Sequence, residues 1–322
     1  MNPAQVYAPI AQDLPRVEQA MLETAREDHA PLSALASHLL TQPGKRIRPV
    51  LTLLAGKLFD YNLDLLVPMA AAVELLHTAT LVHDDTLDVA TVRRGVVTIN
   101  RAWDDTTAIL FGDFLFASSA EMVARTANVR VMRLFAETLR VICSGELDQY
   151  FSAYRCDVTR EQYYQRIGCK TAALFSMATE SGAVLAGAQE QDVQMLKDYG
   201  HNLGLAFQIV DDILDLQGDE GTLGKPAGSD LPQGTLTLPA ILYLEQHPSS
   251  ENPIQRAWEN GRRPEDLRLA ADAVRISQSL AEAHAIAGQF GQKALEALGA
   301  FPDTPPKRAL ASLVEYSLSR DV

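Results

Sequence analysis

The sequence predicts an all-α fold. Three observations carry that expectation. Apolar residues recur at three- and four-residue spacing over long stretches, the period of a helix face. Ala and Leu, both strong helix formers, are abundant in those stretches. Alternating β-branched runs bounded by hairpin turns are scarce.

Taken in chain order, the helical segments are VLTLLAGKLF (50–59), MAAAVELLHTATLV (69–82), TTAILFGDFLFASSAEMVA (106–124), VMRLFAETLRVICSGELDQYF (131–151), TAALFSMATESGAVLAG (171–187) and LKDYGHNLGLAFQIVDDILDL (196–216). Several are apolar almost all round, which places them inside a bundle. With the amphipathic tail AEAHAIAGQFGQKALEALG the expectation is ten or more helices. VRRGVVTIN (92–100) is the best strand candidate, and it is short. Pro and Gly punctuate the segments at Pro43-Gly44, Gly218 to Gly224 and Pro226 to Gly234. The stretch Gly218 to Gly234 reads as a loop. The region 247–265 is linker-like in composition and is also read as a loop, within one domain spanning residues 1–322.

At 322 residues and 47% hydrophobic, the chain has ample material for a buried core. The net charge of −13, without a run of Lys and Arg that could form a basic face, argues against nucleic-acid binding. Cys143, Cys156 and Cys169 form no CxxC pair and have no His at zinc-ligand spacing. Reduced thiols in a cytoplasmic protein fit them. The N-terminus lacks the basic and apolar regions of a secretory signal. The weakly charged stretch Met69 to Val82 contains Glu74 and His77 and is too short and polar to span a bilayer.

Two clusters break local rules in the same way. LVHDDTLD places Asp84, Asp85 and Asp88 at the end of an apolar run; FQIVDDILD repeats this with Asp211, Asp212 and Asp215, 127 residues later. In a helix, i and i+4 share a face, so Asp84 lies beside Asp88 and Asp211 beside Asp215, and like charges there repel. Both clusters also fall near a helix C-terminus, where the macrodipole disfavours anions. Paired violations of this kind belong to functional sites. Carboxylates without His or Cys select a hard cation, and Mg²⁺ fits best. It is held by one or two carboxylates plus water and phosphate oxygens, so facing clusters would hold two or three ions gripping a diphosphate.

Local basic residues complement them: Lys45, Arg46 and Arg48 in GKRIRP, Arg93 and Arg94, Lys170 before Thr171, and Lys225. Arg suits bidentate phosphate binding and Lys acts as a point charge. Taken singly, each is an ordinary solvated charge. Gly44-Lys45 and Gly224-Lys225 lack the remaining residues of a P-loop.

GKRIRP, HTATLVHDDTLDVATVRRG, GDFLF, KTAALF, FQIVDDILD and LGKPAGSDLPQGTLTLP, in that order, span nearly the whole chain. This ordered set resembles the trans-isoprenyl diphosphate synthases, the polyprenyl synthetase family. The resemblance implies a single all-α bundle around a deep cavity, a homodimer, and aspartate motifs facing each other across the cavity mouth. It implies Mg²⁺ on Asp84 and Asp88, with Asp85 supporting, and on Asp211, with Asp212 and Asp215 close by. It implies that Arg93, Lys170 and Lys225 contact the allylic diphosphate, and that Lys45, Arg48, His77 and Arg94 hold isopentenyl diphosphate. Thr171 and Gln208 would line the reacting carbons. Release of an apolar product would involve peripheral membrane contact.

Two departures from the family pattern stand out. Thr235 occupies a position where a second Lys often sits, and Asp104-Asp105 replaces a common Gly-Asn; the two aspartates are expected to cap the helix starting at Thr106. Product length in the family depends on residues before the first aspartate motif. Ala79, five positions before Asp84, and Leu76, eight before it, are not aromatic. The wording around them resembles the heptaprenyl, octaprenyl and solanesyl synthases, and the expected product is about C35 to C45, used for quinone side chains. The alternatives are a geranylgeranyl (C20) synthase, a terpene cyclase, which would lack GKRIRP and RRG, and a non-catalytic partner subunit, whose motifs would be eroded.

Overall fold

The computed structural model describes residues 6–24, 30–42, 44–93, 95–217, 228–249 and 252–320. Among them the regular elements are helices apart from one short two-stranded hairpin. The α-helices of seven or more residues are α1 (Leu14–Glu23), α2 (Ala30–Leu40), α3 (Ile47–Gly56), α4 (Leu63–Leu87), α5 (Asp105–Arg125), α6 (Val129–Phe151), α7 (Arg160–Ile167), α8 (Ala173–Leu185), α9 (Glu190–Gln217), α10 (Leu238–Gln246), α11 (Pro253–Glu259), α12 (Pro264–Arg275), α13 (Ser279–Ala297) and α14 (Pro305–Leu318). The hairpin pairs β1 (Val92–Arg93) with β2 (Val96–Val97) antiparallel, inside the stretch expected to form a strand.

The chain divides into two compact units. One comprises Met1–Thr138, Leu174–Gly200 and Ala297–Leu313, the other Leu139–Ala173, His201–Glu296 and Val314–Val322. In the first, α4 packs along α3 and α5. Its run Met69 to Leu76 is buried throughout, including the single charge Glu74. Leu51, Leu53, Leu54, Leu66 and Phe175 complete that core with no exposed surface. Each such side chain contributes roughly 1.5–3 kcal/mol of burial free energy. Helix α4 is longer than the stretch Met69 to Val82 suggested, and α4 and α5 both reach bilayer-spanning length. The apolar window of α4 is 72% buried, as in a core helix, whereas that of α5 is only 44% buried.

The second unit has its own core, in which Tyr163, Ile209, Val210, Ile213, Leu242 and Val274 are fully enclosed. The loop reading of 247–265 fails here. Residues 253–259 form α11, because the Asn252 side chain accepts from the Ile254 amide and Pro253 starts the helix with its φ already set. Asp104 caps α5 as expected, accepting from the Thr107 amide; the helix itself begins at Asp105.

Candidate active site

In the first unit the aspartate motif ends α4 in a Schellman turn. The Ala90 amide donates to the Asp85 carbonyl at 2.8 Å and the Val89 amide to the Thr86 carbonyl at 3.3 Å. Glycine normally fills the left-handed position of that turn; here it is Val89, at φ 53°. The turn is tied to the hairpin. Thr98 Oγ1 donates to the Ala90 carbonyl at 2.7 Å, and Asn100 Nδ2 to the carbonyls of Ala90 and Asp85. That folding back brings Arg93 to Asp85, whose Oδ1 accepts from Arg93 Nε at 2.7 Å.

The three carboxylates differ in setting. Asp85 is buried and engaged by Arg93, Asp84 is half-buried, and Asp88, just past the end of α4, is exposed. Asp84 and Asp88 therefore present the outward oxygens. Ala79 and Leu76, on α4 upstream, have no exposed surface. His77 is half-buried on the same helix.

GKRIRP separates into two roles. Lys45 is exposed and Arg48 lies with its guanidinium 5.0 Å from the Phe175 ring centroid. Arg46 turns inward instead. Its side chain donates to the carbonyls of Leu40 and Gln42, closing the end of α2, and reaches Glu74 at 3.2 Å. Arg46 is thus an interior ion pair and not a solvated charge, because Glu74 on the apolar wall of α4 needs a counter-ion.

In the second unit α7 runs through a π-helical turn, Gly168–Ala172, into α8. Such turns shift the face of a helix and occur at functional sites. This one carries Lys170 and Thr171. Lys170 Nζ lies 2.9 Å from Glu146 of α6. Thr171 Oγ1 donates to Gln208 Oε1 at 2.6 Å, and Gln208 Nε2 donates to Asp212 Oδ1 at 2.8 Å. Tyr163 donates to Asp212 Oδ2 at 2.6 Å. Both oxygens of Asp212 are therefore held by the protein. Burial pushes its carboxyl up to about 7, against the Tyr163 and Gln208 hydrogen bonds, which favour the charged form. Burial likewise pushes the Tyr163 phenol well above its usual range.

Asp215 faces the turn that follows. It accepts from Ser229 Oγ at 2.6 Å and from the Asp230 amide at 3.5 Å, while its carbonyl accepts from the Gly228 amide. Burial and the charges of Asp215, Asp212 and Asp211 push the Asp230 carboxyl well up, so four carboxyl groups crowd one end of α9. Asp211 is the outward member, its side chain 55% exposed.

The second Asp of each motif is thus turned inward, and the first is left facing outward or nearly so. Among the described residues no group of three or more His, Cys, Asp or Glu is preassembled around a metal position. A hard cation that takes most of its ligands from water and phosphate oxygens does not require one, and the carboxylates of each motif, Asp84 and Asp88 in the first unit and Asp211 in the second, suit such a cation by donor type. Arg94 and Lys225 lie outside the described residues. Glu146, Tyr163 and the Asp215 partner Ser229 carried no signal in the sequence, since a lone Glu, Tyr or Ser has no spacing of its own.

Comparison with known proteins gives a consistent result. The sequence model of the polyprenyl synthetase family matches residues 29–276. The chain is 38% identical to heptaprenyl diphosphate synthase component 2 of Geobacillus stearothermophilus, covering 98% of each. It is 35% identical to octaprenyl diphosphate synthase of Escherichia coli, covering all of both chains. Its fold superposes, with a TM-score of 0.94 and 36% identity, on a polyprenyl synthase from Caulobacter crescentus solved with calcium and isoprenyl diphosphate, over 99% of this chain and 98% of that one.

Proposed function

Because the chain belongs to the polyprenyl synthetase family, we propose that it is a Mg²⁺-dependent trans-prenyltransferase that adds isopentenyl diphosphate repeatedly to an allylic diphosphate. The product is a long-chain all-trans polyprenyl diphosphate of about C35 to C45, the class made by its heptaprenyl and octaprenyl relatives. Quinone side chains are its proposed use.

The observation that carries this reading is the parallel design of the two motifs, each with a buried, hydrogen-bonded aspartate behind an outward one. In the proposed reaction the allylic C–O bond breaks and its electron pair leaves with the diphosphate. The double bond of isopentenyl diphosphate then attacks the allylic carbon, and a proton passes to the departed diphosphate. Mg²⁺, when bound, neutralises charge developing on that leaving group. Asp84 and Asp88 within one unit, and Asp211 within the other, would each offer carboxylate oxygens to Mg²⁺. Asp85 and Asp212 hold their segments in register through Arg93, Tyr163 and Gln208. Arg93, Lys170 and Lys225 receive the allylic diphosphate, and Lys45, Arg48, His77 and Arg94 the homoallylic one. Glu146 orients Lys170 before the diphosphate arrives. The apolar wall of α4 excludes water from the reacting cation.

The functional form is proposed to be a homodimer, with the half-covered apolar helix α5 in its contact. A second reading follows from the relatives named component 2, which point to assembly with an unlike subunit. Purified protein given Mg²⁺, farnesyl diphosphate and labelled isopentenyl diphosphate tests the proposal by product length. Long-chain product from this chain alone is expected. A product that stops at C20 rules out the long-chain assignment, and no condensation at all rules out the homomeric enzyme. Asp84→Ala is expected to abolish turnover while leaving the unfolding midpoint within a few degrees, because it relieves repulsion from Asp88.

A further inference from the structure

Arg320, beyond the end of α14, lies against the second aspartate motif. Its side chain is only 9% exposed. Three contacts fix it: the guanidinium carbon is 3.8 Å from the Phe207 ring centroid, Nη2 donates to the Phe207 carbonyl at 2.9 Å, and Nε to the Ser317 carbonyl at 3.5 Å. Phe207 is one helical turn before Asp211, so the same face of α9 that carries the carboxylate also carries the arginine's platform. The third nitrogen, Nη1, is 3.5 Å from Asp211 Oδ1.

That last distance is long for a hydrogen bond, and Asp211 is half in solvent. The arginine is therefore held chiefly by the Phe207 ring and by the Phe207 carbonyl at 2.9 Å, more than by the ion pair. What remains is a fixed positive charge beside the one aspartate of this motif that faces outward. It sits at the C-terminal end of α9, where Asp211, Asp212 and Asp215 share one short stretch of helix and the helix dipole is unfavourable to anions.

We propose that Arg320 is the resident counter-ion of Asp211: it supports the carboxylate cluster when no metal is bound and, because it cannot swing away, weakens Mg²⁺ binding there by like-charge repulsion. This rests on the reading of Asp211 as a metal ligand. Arg320 is then a positioning and tuning residue for the metal site.

The test is thermal unfolding of the whole chain, first in chelator and then across a Mg²⁺ titration with no substrate. Arg320→Gln keeps a donor for the Phe207 carbonyl and removes the charge. It is expected to lower Tm in chelator and to lower the Mg²⁺ concentration at the midpoint of the Tm rise, on the order of fivefold. Arg320→Lys restores the charge and is expected to restore the midpoint. Phe207→Leu removes the platform while keeping both charges, so it should shift the midpoint the same way if Arg320→Gln fails to fold. In an Asp211→Asn background the arginine's effect should vanish. An unchanged midpoint in Arg320→Gln, with Tm lowered equally at every Mg²⁺ concentration, overturns the proposal and leaves Arg320 a structural residue. If Asp211→Asn alone leaves the Mg²⁺ response unchanged, the metal role of Asp211 fails, and the counter-ion proposal fails with it.

Discussion

A buried carboxyl with both oxygens occupied by protein donors is a different chemical object from its exposed neighbour, and Asp212 and Asp211 show this side by side. Asp212 accepts from Tyr163 and Gln208 inside the second unit, and its carboxyl is held up to about 7 from an ordinary 3.8. In the pH range between those values the native protein keeps a proton that the unfolded chain releases, so stability falls as pH rises and levels off above 7. Asp212→Asn removes that titration. Urea unfolding in chelator should show a shallower loss of stability from pH 4.5 to 7 in the variant than in the wild type; equal slopes would contradict the buried-acid assignment. The identity of all six aspartates was legible from D-D-x-x-D spacing. Which of them face inward was not, because Tyr163 reaches Asp212 from 49 residues away, and Arg93 and Gln208 read in the sequence as substrate contacts and not as partners of Asp85 and Asp212. Arg46 illustrates the same limit: nothing in GKRIRP distinguishes the arginine that pairs with buried Glu74 from the one that lies by Phe175.

Elements end where their hydrogen bonds are closed off, and the end of α4 is closed by a residue poorly suited to it. A β-branched side chain in the left-handed region costs roughly 1–2 kcal/mol relative to glycine. Val89 adopts it because both bonds of the Schellman turn and the links to Thr98 and Asn100 require that geometry. Val89→Gly is expected to raise stability by about 1 kcal/mol, offset in part by the greater freedom of glycine when unfolded, and to raise Tm by a few degrees. A lower Tm would mean that the exposed valine side chain contributes more than its backbone strain costs. Upstream on the same helix, Ala79 has no exposed surface, so a growing chain can reach it only if its neighbours move. Ala79→Phe fills that position permanently. It should shorten the product and cost about 1–3 kcal/mol through overpacking; unchanged product length would remove Ala79 from chain-length control. The long helices were legible because their apolar period persists over many turns. Helix α11 was missed because seven residues carry too little periodicity, although Asn252-Pro253 is itself a start signal.

At the scale of the whole molecule the quantity that matters is the number of chains that act together. Composition could not show it, because a surface that meets another copy carries the same kinds of residue as a core. The structure shows where the first unit has apolar surface to spare. Helix α5 is as apolar as a core helix, yet Ile109 is 48% and Leu110 63% exposed. A chain of net charge −13 repels its own copy at long range, so self-association must come from apolar burial. Replacing Ile109 and Leu110 together by Asp adds charge at that face, while the Ile109 carbonyl that meets His83 Nε2 at 3.1 Å belongs to the backbone and is kept. Sedimentation equilibrium should give the wild type at twice the 35.2 kDa chain mass and the double variant at the single-chain mass. A wild type that sediments as one chain and makes no product alone would instead favour an unlike partner on this face. A wild type that stays dimeric with both aspartates in place would put the contact elsewhere.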